Sequence, residues 1–437
     1  MIEKFPYLNK SVSVINKYNS IILKDIEKRK HISLNREAYN LLLECSGVKT
    51  LKQVILGTLK GHGEGGDTND YIEKTISFIT DLSEAGYILY ADASSKRIIN
   101  ITDVPDICYP NNIVFELTDF CNLRCKHCYR GSDSSNTDYI DAELLVAVVA
   151  ELSRFGLRSV HLTGGEPGAH KDFLYILTNV LEHCESIIIL TNGTCFDEEA
   201  LKVFAANKDR LKIQVDIDCS EEAIHDDLRG VSGAFKAVSK FIKEAAAHKI
   251  PIEAAMSVYK NNVDYIEQTL IYSKELGASS FKISPVMEYG RGQNMERLDE
   301  EQTYKLLTSL PELHKKYKGF IIEPEVSMDE MEERFNCGGG HRNFICSPNG
   351  EIKPCVLLPD DMIVMGNLFT EKTDKLFAKP IFKHFANLQA PNKKICGECQ
   401  YATSCLGCFA RVLLLEETMR AANPDFECIY KKNILFK

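Results

Sequence analysis

The sequence predicts an α/β fold in which a partial (β/α)6 barrel stands between an N-terminal winged-helix-like α+β domain and a C-terminal cysteine-rich domain. Three observations lead there. From residue 112 onward, β-branched and apolar runs alternate with helical patterns six times, as expected of βα units feeding one parallel sheet. Before residue 92, short strand patterns precede a group of helical ones, an α+β order. After residue 336, seven of the eight cysteines stand in a spaced series. The boundaries that follow are 1–92 for the front domain, 93–110 for a linker, 111–320 for the barrel and 321–437 for the cysteine-rich domain.

In the front domain, residues 11–15 and 20–25 read as strands around Lys17-Tyr18-Asn19, and 30–34 as a third. Apolar residues at helical spacing follow over 35–45. Thr50 opens a helix over 51–59, and Asn69-Asp70 opens a longer one through Leu82, which stops at Ala85-Gly86 before a strand at 87–90. In the barrel, strands are expected at 113–118, 159–163, 186–191, 212–218, 252–259 and 281–286. Helices are expected between them at 141–155, 171–184, 198–207, 234–248 and 263–276. Units of this size imply a parallel sheet curled into a partial barrel, with ligands at the C-terminal strand ends.

The chain has 437 residues, 44% of them hydrophobic, enough for two to four domains with buried cores. Its start, MIEKFPYLNKSVSV, lacks the apolar stretch of a signal peptide, and no run approaches membrane-spanning length. A cytoplasmic protein without membrane contact is therefore expected. In that reducing compartment, 16 cysteines point to metal ligation more than to disulfides. The net charge of −10 argues against nucleic acid as a partner. A monomer is expected.

The chemistry is concentrated in two motifs. Cys121-Asn-Leu-Arg-Cys125-Lys-His-Cys128 brings three thiolates together, and an iron–sulfur cube held by three cysteines keeps one iron free for a small chelating ligand. Residues 160–167, VHLTGGEP, read as a strand breaking into Gly164-Gly165-Glu166-Pro167. Paired glycines let a backbone come close to a bound molecule, and Glu166 can accept from an ammonium group.

The stretch TDFCNLRCKHCYR, with the aromatic His127 before the third cysteine, resembles the cluster loop of radical S-adenosylmethionine (SAM) enzymes. The GGEP strand end is similar to that family's motif for the methionyl amino group of SAM. The resemblance implies a radical SAM barrel in which His127, Gly164, Gly165, Glu166, Pro167, Asn192, Asp216 and Arg229 contact SAM. Residues 214–235 (QVDIDCSEEAIHDDLRGVSGAF) extend the likeness through Asp218, His225, Asp226, Arg229, Gly230 and Phe235. Two positions depart from it: Asp216 stands where many relatives have serine, and Cys219 where they have glycine. His225 is expected to cap or support rather than act as a base. Catalytic side chains beyond these are not assigned.

The later cysteines, Cys337, Cys355, Cys396, Cys399, Cys405, Cys408 and Cys428, exceed what one metal site needs. Their order resembles the SPASM extension of radical SAM enzymes, which carries two auxiliary [4Fe–4S] clusters, for three clusters in all. By that resemblance Cys396, Cys399, Cys405 and Cys428 hold one auxiliary cluster, and Cys337, Cys355 and Cys408 the other. The fourth ligand of the second could be Cys346, another side chain or a substrate thiolate. Cys405 and Cys408 are separated by two residues where relatives usually have three. Cys45, Cys108, Cys184, Cys195 and Cys219 are expected to be buried thiols.

The order of the front domain resembles the leader-recognition domain of enzymes that modify ribosomally made peptides. A leader would add as a strand at His31, Ile32, Ser33 and Leu34, beside a groove walled by Ile72, Ile76 and Ile79. The combined resemblance implies a peptide maturase that cleaves SAM to a 5′-deoxyadenosyl radical and installs an oxidative cross-link, a thioether or a carbon–carbon or carbon–oxygen bond. Its partners would be a precursor peptide and an electron donor such as flavodoxin or ferredoxin. The alternatives are an enzyme acting on the peptide precursor of a redox cofactor, an anaerobic sulfatase-maturing type of enzyme, and a non-enzymatic iron–sulfur or zinc scaffold that binds peptide. Against the sulfatase type stands Val356, where those enzymes place an acid.

Overall fold

The computed structural model describes residues 2–59, 68–287, 289–322, 336–358, 362–391, 393–396, 399, 408–413 and 428. Two compact units divide the chain: Met1–Tyr109 with Leu152–Arg158, and Pro110–Glu151 with Ser159–Lys437. No helix among the described residues is long and apolar enough to cross a membrane.

In the first unit, β1 (Phe5–Leu8), β2 (Val12–Lys17), β3 (Ser20–Asp25) and β4 (Lys30–Leu34) precede α1 (Arg36–Glu44), α2 (Leu51–Leu59) and α3 (Thr68–Glu84). The strands β5 (Ile88–Ala91) and β6 (Asn100–Val104) follow. One sheet runs β4-β3-β2-β6, and β1 pairs separately with β5. The interval 93–110, expected as a linker, thus contains a strand, β6, that pairs in parallel with β2. Its sequence NITDV has no alternation of apolar and polar residues, so nothing marked it as a strand.

The strand at 30–34 lies at the sheet edge, with His31, Ile32 and Leu34 half-buried and Ser33 exposed. Val14, Leu23, Leu42, Leu51, Val54, Ile79 and Ile88 form the fully buried core of this unit. Ile79 therefore cannot wall a peptide groove, a correction to its expected role. The face of α3 that meets the core takes position 79, leaving Ile72 and Ile76 partly exposed beside it.

In the second unit, β7 (Asn112–Glu116), β8 (Ser159–Thr163), β9 (Ser186–Thr191), β10 (Leu211–Asp216), β11 (Ile252–Val258) and β12 (Ser280–Pro285) lie parallel, in chain order. Between them run α4 (Ala142–Ser153), α5 (Phe173–Leu181), α6 (Glu198–Ala206), α7 (Glu222–Arg229), α8 (Ala234–Ala247) and α9 (Ile266–Leu276), which makes the partial (β/α)6 barrel. The helix α10 (Glu300–Lys316) follows, opened by a capping box of Asp299 and Gln302.

Side chains alternate across the sheet. Ile113, Phe115, Val160, Leu162, Ile187, Ile189, Ile213 and Val215 are fully buried on the face the helices cover. The opposite register carries Glu116, His161, Gln214, Asp216, Glu253 and Lys282 together with Val114, Ile188, Leu190 and Ala255, so the lumen face mixes polar and apolar groups.

The sheet does not end at β7. The strand β13 (Asn343–Cys346) pairs in parallel with it, and β14 (Glu351–Lys353) and β15 (Gly366–Asn367) continue antiparallel. Phe344 on β13 packs against Phe377 of α11 (Thr373–Phe377) and Phe382 of α12 (Pro380–Asn387), its ring centroid 5.3 Å from that of Phe382. A further short helix, α13 (Lys393–Cys396), carries Cys396.

Candidate functional site

The three cysteines of the first motif sit on a loop whose backbone is tied to its neighbours on every side. At its start, Leu117 N–H donates to the Thr163 carbonyl (2.8 Å), Gly165 N–H to the Thr118 carbonyl (2.6 Å) and Glu166 N–H to the Phe120 carbonyl (2.9 Å). The turn after β8 is thus stitched to the segment that leads into Cys121. A Cβ on Gly165 would fall inside the Phe120 carbonyl oxygen, and Gly164 takes φ +134°, so both positions need glycine. The close approach that these glycines allow is to the cysteine loop itself. Farther along, Arg124 N–H donates to the Arg229 carbonyl (3.1 Å) and Lys126 N–H to the Leu228 carbonyl (2.8 Å), anchoring the loop to the end of α7.

Glu166 is fully buried at the strand end. Its carboxyl accepts from Gly168 N–H (3.0 Å), the Thr191 hydroxyl (2.5 Å) and Asn192 N–H (2.8 Å). Burial nevertheless dominates and lifts its pKa to about 7, so the site favours an added cation. Pro167 begins a one-turn helix that Glu166 caps. Asn192 is locked to the loop: its amide donates to Asn122 Oδ1 (3.0 Å) and approaches Cys121 Sγ (3.8 Å).

Arg229 is buried at the last turn of α7, not spread on a helix surface. It lies 2.5 Å from Asp218 and 3.4 Å from Asp216, and its Nη1 reaches Cys125 Sγ at 3.7 Å. Burial pushes the Asp218 pKa up, but Arg229, with His127 and His225 behind it, outweighs burial and holds the carboxyl below its ordinary range. His127 comes to the same place, its pKa driven down to about 4, chiefly by burial, so the ring is neutral. His225 accepts from Asp218 N–H, and Asp226 accepts from Gly233 and Phe235 N–H at the start of α8. Both are supports for the fold.

Two features escaped the sequence. Arg291, in the Gly-Arg-Gly turn after β12, donates to the carbonyls of Cys125 (2.9 Å), Gly131 (2.8 Å) and Ser132 (2.8 Å), while its own N–H meets the Cys128 carbonyl. An arginine between glycines at a strand end was the available signal. The second is a buried charge cluster in which Arg130 pairs with Glu116 and Asp119, and Lys353 of β14 lies 3.6 Å from Glu116. Its members are 237 positions apart at the extremes, so no local pattern announces it. A cavity of about 370 Å³ opens beside the loop at Lys126, Asp227, Tyr259 and Arg291.

Among the later cysteines, Cys337, Cys355 and Cys408 come close enough to act on one another electrically. Burial first, then Cys408 and Cys337, raise the Cys355 pKa to about 12. Cys346 does not join them. It is fully buried on β13 opposite Phe115 and Ile352, and its thiol donates to the Ser347 carbonyl, so strand alternation gives it to the apolar face. Cys396, Cys399 and Cys428 are half-buried, and Cys405 lies outside the described residues. Of the five cysteines expected to be buried, Cys195 alone is half-exposed.

The first three thiols suit a cluster. Burial foremost, then Glu166 and the other two sulfurs, lift Cys121 to about 12, a penalty that binding to iron removes by taking up the thiolate charge. N–H groups already aim at the sulfurs, from Leu123 and Asn192 to Cys121 and from Arg229 to Cys125, as thiolate ligands require. Among the described residues, no three His, Cys, Asp or Glu side chains converge on a single metal ion.

The sequence matches the model of the radical SAM superfamily over residues 115–272 and that of the SPASM iron-sulfur cluster-binding domain over residues 337–400. It is 27% identical to the antilisterial bacteriocin subtilosin biosynthesis protein AlbA of Bacillus subtilis, over 94% of this chain and 93% of that protein. It is also 27% identical to the AdoMet-dependent heme synthase of Methanosarcina barkeri, over 74% of this chain and 97% of that one. In structure it resembles Streptococcus suis SuiB bound to precursor peptide SuiA, with a TM-score of 0.64, 14% identity and coverage of 94% of this chain and 97% of that chain.

The stitching of the two motifs is open to test. Gly165→Ala should expel the Phe120 carbonyl and lower reconstituted iron by about four atoms per chain, the content of one cube. Gly57→Ala, where the added methyl meets nothing within 4 Å, should keep the full content. Iron and sulfide assays on the two variants measure this, and equal iron in both would refute the structural role given to the turn.

Proposed function

Since the chain belongs to the radical SAM superfamily and carries a SPASM domain, we propose that it is a maturase of a ribosomally synthesised precursor peptide, in which it installs an oxidative cross-link. The observation that carries the reading is extent. The match to AlbA spans 94% of this chain, which leaves fewer residues unmatched than the first unit holds. The match to the heme synthase spans 74%. The likeness to a bacteriocin biosynthesis protein thus includes the front unit, in which β4 stands at the edge of its sheet among the described residues, a position suited to an added strand.

Cys121, Cys125 and Cys128 would hold the SAM-binding cluster, and Glu166 the methionyl ammonium. Cys337, Cys355 and Cys408 would hold one auxiliary cluster, with Cys396, Cys399, Cys405 and Cys428 for the other. Bound there, SAM and the clusters would supply the one-electron chemistry for removing a hydrogen atom from carbon and an acceptor for the electron released as the new bond closes. The chain's own part is to fix these groups and exclude water. Arg291 holds the loop carbonyls, and Asn192 and Arg229 orient the sulfurs of Cys121 and Cys125. Arg229 already faces two carboxylates, which leaves it little charge for the carboxylate of SAM. A reducing cytoplasm, a flavodoxin or ferredoxin as electron donor and a monomeric state complete the proposal.

Two measurements test it. Glu166 is protonated below pH of about 7 in the SAM-free protein and must be ionised to pair with an ammonium, so SAM affinity should fall as pH drops from 7.5 to 5.5 by roughly tenfold per unit below the pKa. Glu166→Gln should abolish that dependence and weaken SAM by roughly 1.5–3 kcal/mol at pH 7.5. A wild-type affinity independent of pH contradicts the pairing.

For the substrate, co-expression with the short open reading frame beside the gene should yield a peptide lighter by two hydrogens per cross-link, read by mass spectrometry. Ile32→Asp with Leu34→Asp should reduce modification of the full-length precursor by about tenfold, near 1.4 kcal/mol, and leave a leaderless core peptide unaffected. An unmodified peptide from the wild-type enzyme, or equal processing by the double variant, counts against the reading.

A further inference from the structure

We propose that Lys353 is a positioning residue for the three-cysteine site: from the strand that leads to Cys355, it completes a buried group of charges that clasps the two ends of the loop carrying Cys121, Cys125 and Cys128. The inference rests on the reading above that these three thiolates hold the SAM-binding cluster and that Cys355 holds an auxiliary one.

The clasp begins in the loop itself. Asp119 stands two residues before Cys121, and Arg130 two residues after Cys128. The Arg130 guanidinium joins them, with Nε donating to Asp119 Oδ1 at 3.1 Å and Nη2 pairing with the same oxygen. Its Nη1 turns the other way, to Glu116 Oε2 at the end of β7. One planar side chain thus ties both flanks of the cysteine segment to each other and to the sheet.

Lys353 approaches the same carboxylate from the other side. On β14 it stands opposite Ile345 of β13, which stands opposite Val114 of β7. Glu116 is the next residue after Val114 on that face of the strand. The Lys353 Nζ lies 3.6 Å from Glu116 Oε2, the oxygen that Arg130 also uses. The Ser347 hydroxyl, after β13, donates to that oxygen at 3.4 Å, and the Tyr129 hydroxyl donates to Oε1 at 3.4 Å.

Burial makes the count of charges matter. The Glu116 side chain is 0% exposed, that of Arg130 5% and that of Lys353 4%. Among the described residues two cations meet two carboxylates here. Without the ammonium, Arg130 alone would face both acids, and an uncompensated buried charge is strongly destabilising. Asp119 is the one that can turn to water, since its side chain is 23% exposed. Arg130 would therefore be drawn to Glu116 and loosen its hold on Asp119, and the flank that leads into Cys121 would lose its tie. By this route a residue of the later domain sets the geometry in which SAM is cleaved.

The test uses the full-length protein, anaerobically reconstituted and reduced with dithionite, as wild type, Lys353→Met, Glu116→Gln and the double variant. Two quantities are read: the change in the electron paramagnetic resonance spectrum on adding SAM, and the rate of 5′-deoxyadenosine formation. Lys353→Met should diminish the spectral change and lower the rate by about tenfold or more, and Glu116→Gln, which strands the lysine, should do the same. The double variant strands no charge and leaves Arg130 with Asp119, so it should exceed either single variant by about tenfold. Losses that multiply in the double variant, or a wild-type spectrum and rate in Lys353→Met, would overturn the proposal. If Lys353→Met does not fold, the comparison of Glu116→Gln with the double variant decides in the same way. A wild type whose spectrum ignores SAM would instead overturn the cluster assignment, and the inference with it.

Discussion

Everything at this site depends on backbone hydrogen bonds that hold a loop without secondary structure of its own. The segment from Cys121 to Cys128 has no helix or strand to fix it. Its position comes from the turn after β8, through Gly165 and Glu166, from the carbonyls that end α7, and from the three bonds of Arg291. Each anchor is at the C-terminal end of a parallel strand or the helix after it. The parallel sheet is therefore the reason that residues from 121 to 291 share one place. The three thiols owe their common position to these anchors.

Electrostatics adds a second constraint. Buried charges are costly unless paired, and removing one partner leaves the other stranded. Arg229 meets two aspartates and a cysteine sulfur in one pocket. On the other side of the loop, Arg130 and Lys353 converge on Glu116, with Tyr129 and Ser347 nearby. Lys353 comes from the strand that extends the sheet toward the later cysteines. The cluster loop and that extension are thus tied by charge as well as by the β7–β13 pairing, and a disturbance in one would be felt in the other.

Much of this was legible in the sequence where physics is local. Strand periodicity located β8 and β9 to the residue, and the order of motifs after successive strands put Cys121, Glu166, Asn192 and Asp216 at one end of the sheet. What stayed hidden was nonlocal or carried no periodic signal. Nothing in NITDV foretold β6, because a parallel edge strand can be mostly exposed. The helix α7 lay within a motif read for its residues, and only its fold shows that Arg229 faces inward. Cys346, one of the candidates for a fourth ligand, sits on the wrong face of β13, a distinction that turns on one residue of register. Ile79 was drawn to a groove by its spacing, although the same spacing serves the core of its own unit.

The central claim is that the three-thiol loop supports reductive cleavage of SAM. The most direct measurement is 5′-deoxyadenosine formed from SAM and a chemical reductant under anaerobic conditions, by the reconstituted wild-type protein and by Cys125→Ala. The account predicts reductant-dependent product from the wild type and none above background from the variant. Product formed equally by both would contradict it.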